Sequence, residues 1–153
     1  MVGTLRVGLL GSLTIEVGSL RAGLPSSTQR RLLTILALEA GNLLPADRLC
    51  DLLECTTGSL RTSVSRLRAG PVGAHLRTAP PGYQLDATTD AAEFEAFVAE
   101  AGVERGVRKV EILDAAPALW RAEAVDEFRS EPWALPEVTR LDELRSSAIE
   151  ARA

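Results

Sequence analysis

The amino-acid sequence predicts an α+β fold in two parts: a small sheet, three helices and a closing β-hairpin, followed by a segment of helices alone. Three observations carry that expectation. Extended, glycine-punctuated runs alternate with helical periodicity as far as Asp86, whereas from Asp90 onward the strand signals vanish. The charge changes at the same place: residues 1–85 hold nine Arg against five acids, and residues 86–153 hold seven Arg and Lys109 against sixteen acids. The total of −4 therefore conceals a half of +4 and a half of −8, as expected of two modules with different partners. The predicted domains are 1–87 and 88–153, with the junction around Asp86–Thr89.

Each element has its own signal. "LRVGLLGSLTIEV" (5–17) reads as two or three short strands turning at Gly8, Gly11 and Gly18, with the clearest alternation at Leu13, Ile15 and Val17. A first helix begins near "PSSTQRR", where Ser26 and Gln29 have capping-box spacing, and Gly41 marks its stop. It is apolar most of the way round, so it belongs at the centre of its domain. A second, short helix spans 46–54, with Leu49, Leu52 and Leu53 on one face, and "CTTG" breaks it. The third is "SLRTSVSRLRA" (59–69), with Leu60, Val64 and Leu67 facing inward. "HLRTA-PPG-YQLD" then reads as a β-hairpin whose Tyr83 anchors it to the core. In the second part, Asp90 and Glu93 have capping-box spacing ahead of a stripe of Phe94, Phe97, Val98 and Ala101 that Gly102 closes. Val110, Leu113 and Trp120 mark a further helix that Pro117 should kink. A last helix starts near Pro136, apolar at Val138, Leu141, Leu144 and Ala148. Trp120 and Trp133 read as packing residues, and Arg140 and Arg145 as surface ion-pair partners of Glu137, Asp142 or Glu143.

Several function classes find no support. The longest apolar runs, such as "LLTILAL" (32–38), fall far short of the ~20 residues a membrane span needs, so no membrane association is expected. The apolar N-terminus alternates and lacks a basic start, which is not the pattern of a signal peptide. With one His and two Cys there is no metal-ligand set, and no cofactor-binding motif appears. "GLLGSL" (8–13) departs from the dinucleotide fingerprint. No paired carboxylates and no Cys–His pair point to catalysis, so no enzyme is predicted. Cys50 and Cys55 lie five apart and would not share a helix face; they read as small core residues of a reduced cytoplasmic protein.

The charged face of the third helix is what remains to be explained. With Leu60 at 0° and about 100° per residue, Arg68 falls near 80°, Arg61 near 100°, Ser65 near 140°, Thr62 near 200° and Arg66 near 240°. The outward face is Arg, Ser and Thr, with no acid. Strands, three helices and a hairpin, with the third helix basic outside, is the order of a winged helix-turn-helix. An α-helix fits the major groove of B-DNA, and Arg, Ser and Thr supply donors for bases and phosphates. The hairpin would reach the neighbouring backbone through Arg77, Thr78 and His75. Any helix can show a solvated Arg face, so a second class stays open on the residues alone: a protein-interaction module whose winged helix no longer reads DNA.

"QRRLLTILALEAGNLLPADRLCDLL", "SVSRLRAG" and "LRTAPPGYQLD" resemble the OmpR-type winged helix of the Streptomyces antibiotic regulatory protein (SARP) family. "DAAEFEAFVAEAG", "ALWR" and "PWALPEVTRLDELRSSAIEARA" resemble part of the helical bacterial transcriptional activation domain that follows it there, which is built like tetratricopeptide hairpins. The resemblance implies an activator that binds direct repeats of double-stranded DNA near promoters, often of secondary-metabolite genes, and recruits RNA polymerase. Tandem copies or a weak homodimer on DNA would follow. By position, Arg66 resembles the base reader, and Arg61 and Thr62 sit at other base-facing positions. Ser63, Ser65 and Arg68 match backbone-contacting positions; Thr78, with Arg77 beside it, matches a wing contact. Three features depart from the family pattern: "ECTTGS" is several residues shorter than the usual connection and lacks its Trp-Gly, "TAPPGY" lacks an Arg before the turn, and residues 88–153 match only about the first three or four helices of the activation domain.

Overall fold

The computed structural model describes residues 3–152 and is α+β, as expected. The chain divides by contacts into two units, one comprising the residues up to Val7 with Thr14–Thr88, the other Gly8–Leu13 with Thr89 onward.

In the first unit, β1 (Leu5–Gly8), β2 (Thr14–Val17) and β3 (Leu20–Ala22) form a sheet whose far edge is β7 (Thr88–Thr89), in the order β3-β2-β1-β7. β2 and β3 are antiparallel with Glu16 opposite Arg21, and Gly18 at φ +63° makes the turn. Helix α1 (Ser27–Leu38) starts where the capping signal places it: the Ser26 hydroxyl accepts the Gln29 N–H at 3.3 Å. Six consecutive residues, Leu32 to Ala37, are buried, so α1 is the central helix of the unit. Its one buried hydroxyl, Thr34, donates to the Arg30 carbonyl at 2.8 Å. After β4 (Leu44–Pro45) come α2 (Ala46–Leu53) and α3 (Thr57–Ala69), then β5 (Leu76–Ala79) and β6 (Gly82–Leu85). The three-stranded sheet runs β4-β6-β5, with Leu44 and Thr78 flanking Tyr83 on either side. Gly82 is required by space: a Cβ there would meet the Leu44 carbonyl and the Pro45 backbone.

The second unit contains α4 (Asp90–Val103), α5 (Gly106–Ala115) and α6 (Leu135–Arg152), with 3₁₀ turns at Ala116–Leu119 and Asp126–Phe128. As Pro117 predicts, the regular helix ends at Ala115 and tightens to a 3₁₀ turn. Phe94 is fully buried with Trp120 edge-on to it, ring centroids 5.3 Å apart. Phe128 and Trp133 form a second aromatic pair at 5.8 Å. Both tryptophans thus pack as the sequence suggests, although Trp120 lies past the helix rather than in it. Val138, Leu141 and Ala148 give α6 its buried stripe, and Leu144 is half-buried.

Five local expectations are corrected. The cap of α4 is Thr89, whose hydroxyl accepts the Ala92 N–H at 3.1 Å, not Asp90. Asp90 is buried and turned to the hexapeptide 8–13, accepting the Leu9 N–H at 2.6 Å and the Leu10 N–H at 3.2 Å. Arg121 completes that clasp: its guanidinium stands 3.6 Å from Asp90 and donates to the Ser12 carbonyl, while its backbone N–H donates to Leu10. Second, α4 continues through Gly102 to Val103. Third, Val110 points outward and is 54 % exposed; Ile112 and Leu113 carry the buried face instead. Fourth, α3 begins two residues early, at Thr57, because Thr56 caps it through the Ser59 N–H. Fifth, Arg145 is not an ion-pair partner of the three named acids but lies over the Trp120 ring, 4.5 Å from its centroid. Arg140 does pair with Glu137 and also reaches Glu95 at 2.7 Å, and these carboxylates push its guanidinium above the usual arginine range.

Replacing Asp90 by Ala strands two buried N–H groups and an arginine at once. We expect a loss of about 3 kcal/mol or more, against about 1 kcal/mol for Thr89→Ala, read by urea unfolding. Gly82→Ala should destabilise more than an exposed Gly23→Ala, since nothing lies within 4 Å of a Cβ at Gly23.

Candidate nucleic-acid interface

Helix α3 is divided lengthwise. Leu60, Val64 and Leu67 are at most 3 % exposed and pack against α1 and α2. Burial of three such side chains stabilises the helix by roughly 4.5–9 kcal/mol at about 1.5–3 kcal/mol each, before entropy losses. That burial fixes the rotation of α3 about its axis. Arg61, Thr62, Ser65, Arg66 and Arg68 are all exposed as a result, and Ser63 is half-buried on the flank. Arg61 and Arg66 form no ion pair or hydrogen bond with other described residues. Thr62 donates its hydroxyl to the Gly58 carbonyl at 3.1 Å, which leaves the oxygen lone pairs and the methyl group facing outward.

The hairpin β5–β6 lies beside this helix and is tied to it by Arg68. One guanidinium nitrogen of Arg68 donates to the Thr78 hydroxyl at 2.8 Å and to the Leu76 carbonyl at 3.3 Å. Two of the sequence-derived candidates, Arg68 and Thr78, are thereby brought together. Arg77, the next residue along β5, is exposed, and its strand partner is Gln84. His75 is buried in the 3₁₀ turn that leads into β5, so it does not reach outward. The eight candidates therefore lie on two adjacent elements: Arg61, Thr62, Ser63, Ser65, Arg66 and Arg68 on α3, Arg77 and Thr78 on β5.

Between helix and hairpin runs an open groove lined by Arg61, Val64, Ser65, Arg68, Ala69 and Tyr83. A second recess, lined by Arg61, Thr78, Tyr83 and the Pro80–Pro81 turn, adjoins it. Tyr83 and Arg61 line both. The phenol was not among the sequence-derived candidates; its pairing with Thr78 across β5–β6 places it here, and strand register could have pointed to it. The arrangement can present several donors to a polyanion over the length of α3, with one strand of the hairpin braced alongside. Among the described residues no group of three or more His, Cys, Asp or Glu could hold a metal ion, and no helix is long and apolar enough to cross a membrane.

Comparison with known proteins bears on both units. Residues 89–153 match the bacterial transcriptional activator domain. The whole chain is similar to Mycobacterium tuberculosis EmbR, a protein solved in complex with a low-affinity phosphopeptide, with a TM-score of 0.82 and 29 % sequence identity. The match covers 97 % of this chain and 44 % of that one, so the chain spans less than half the length of the solved relative. No curated protein matches. Residues 89–153 thus match the bacterial transcriptional activator domain, and the chain as a whole shares the fold of EmbR.

Proposed function

We propose that this chain is a sequence-specific, double-stranded-DNA-binding activator that acts in the cytoplasm. It binds direct repeats near promoters, including those of secondary-metabolite genes, and contacts RNA polymerase. The observation that carries this reading is the acid-free exposed face of α3, held outward by burial of Leu60, Val64 and Leu67. In it, α3 enters the major groove, where Arg66 reads a base edge and Arg61 and Thr62 sit beside it. Ser63, Ser65 and Arg68 hold the sugar-phosphate backbone, and Arg77 and Thr78 hold it again from the hairpin. Arg68 has a double task, bracing Thr78 with one nitrogen while its remaining N–H groups face phosphate.

The connection between α2 and α3 is only Glu54–Thr56, too short to project a contact surface. The polymerase contact is therefore assigned to residues 89–153, whose acidic balance suits a basic partner patch. One winged helix covers about 600–1,000 Å² of DNA-facing surface, so tandem copies on a repeat, or a weak dimer, supply useful affinity.

Duplexes selected from a random pool test this. Affinity for the selected site should fall steeply with salt, with a log–log slope of about 0.9 for each phosphate contacted. Arg66→Ala should lose about 1–3 kcal/mol at one base position, whereas Arg77→Ala should weaken all sequences alike and reduce the slope by about 1. A chain that shifts no duplex at low salt would instead be an interaction module.

A further inference from the structure

Two cysteines that the sequence places on different helix faces lie together in the fold. Helix α2 ends in a left-handed residue, Glu54, at φ 52° and ψ 50°. The Glu54 N–H donates to the Asp51 carbonyl at 3.3 Å, and the Cys55 N–H donates to the Cys50 carbonyl at 3.0 Å. This pair of bonds is the Schellman arrangement, in which the chain folds back over the last helical turn. It brings the residue after the left-handed one against the residue five before it, here Cys55 against Cys50. Burial, together with the neighbouring Cys50 sulfur, pushes the Cys55 thiol above the usual thiol range. Both cysteines are reduced and only half-buried, so neither is the core residue the sequence suggests. A left-handed Glu where Gly or Asn is usual shows that the turn is held by its surroundings.

We propose that Cys50 and Cys55 form a two-thiol modification site at which a hydroperoxide makes a reversible intramolecular disulfide. The Cys50 thiolate attacks the peroxide oxygen and the O–O bond breaks. Cys50 becomes a sulfenic acid, and water or an alcohol leaves. The Cys55 sulfur then attacks Cys50, giving up its proton, and the sulfenic oxygen departs as water. The net change is two thiols and one hydroperoxide converted to one disulfide, one water and one further water or alcohol. Cys55, the thiol whose pKa burial raises, is assigned the resolving role. The site ends one residue before Thr56, the cap of α3, so the bond would tether the start of the helix that carries the basic face.

The full chain, fully reduced, is treated with one equivalent of hydrogen peroxide and then alkylated under denaturing conditions. Two alkylatable thiols should fall to none, with a peptide two hydrogens lighter, and dithiothreitol should restore both. Cys55→Ser should leave a sulfenic acid on Cys50 that dimedone traps, while Cys50→Ser should leave Cys55 a thiol. Both thiols still alkylating, a sulfinic acid on either, a disulfide joining two chains, or equal trapping of Cys55 in Cys50→Ser would overturn the proposal. None of these readouts involves DNA, so they stand apart from the functional reading above.

Discussion

The rotation of one helix governs the rest. Leu60, Val64 and Leu67 sit at i, i+4 and i+7, and their burial against α1 and α2 leaves α3 one orientation. Turning the helix by a third of a revolution would expose these side chains and bury Arg61 and Ser65, unpaired. Burying a guanidinium without a partner costs several kcal/mol, well above any gain the alternative offers. The basic face is therefore a consequence of the core. The central position of α1, buried over six consecutive residues, makes that core stiff enough to hold it.

The hairpin depends on the same helix through a polar link. Arg68, the last outward arginine of α3, spends one nitrogen on Thr78 and the Leu76 carbonyl, so β5 is held in a fixed relation to the helix. At its other end β5–β6 closes against β4, where Gly82 lets the Leu44 carbonyl approach. The second unit has its own organising group. Asp90 serves two backbone donors of residues 8–13 while Arg121 neutralises it, which explains why an acid is tolerated at 2 % exposure.

What the sequence makes legible, and what it hides, follows the range of each interaction. The inward and outward sides of α3 follow from helical periodicity, and the Ser26 cap from a three-residue spacing; both are local. Asp90 departs from the capping-box pattern because its partners, Leu9 and Leu10, are 80 or more residues away, and the neighbouring Thr89 caps in its place. Cys50 and Cys55 looked divergent because a helical projection assumes that the helix continues, and nothing in Glu54 signals a left-handed turn. The Arg68–Thr78 bond and the stacking of Arg145 on Trp120 join separate elements, and no short-range pattern encodes them.

The central claim is that the exposed side of α3, with the adjoining strand β5, is the surface that meets DNA. Chemical-shift mapping of the labelled full chain during titration with a selected duplex tests it most directly. The account predicts that the guanidinium signals of Arg61, Arg66 and Arg77, and the amides of Thr62, Ser65 and Thr78, move together in saturable fashion. Those of Leu33 and Leu36 inside α1 should stay in place. Saturable shifts confined to α4–α6, with the α3 arginines unmoved, would contradict it.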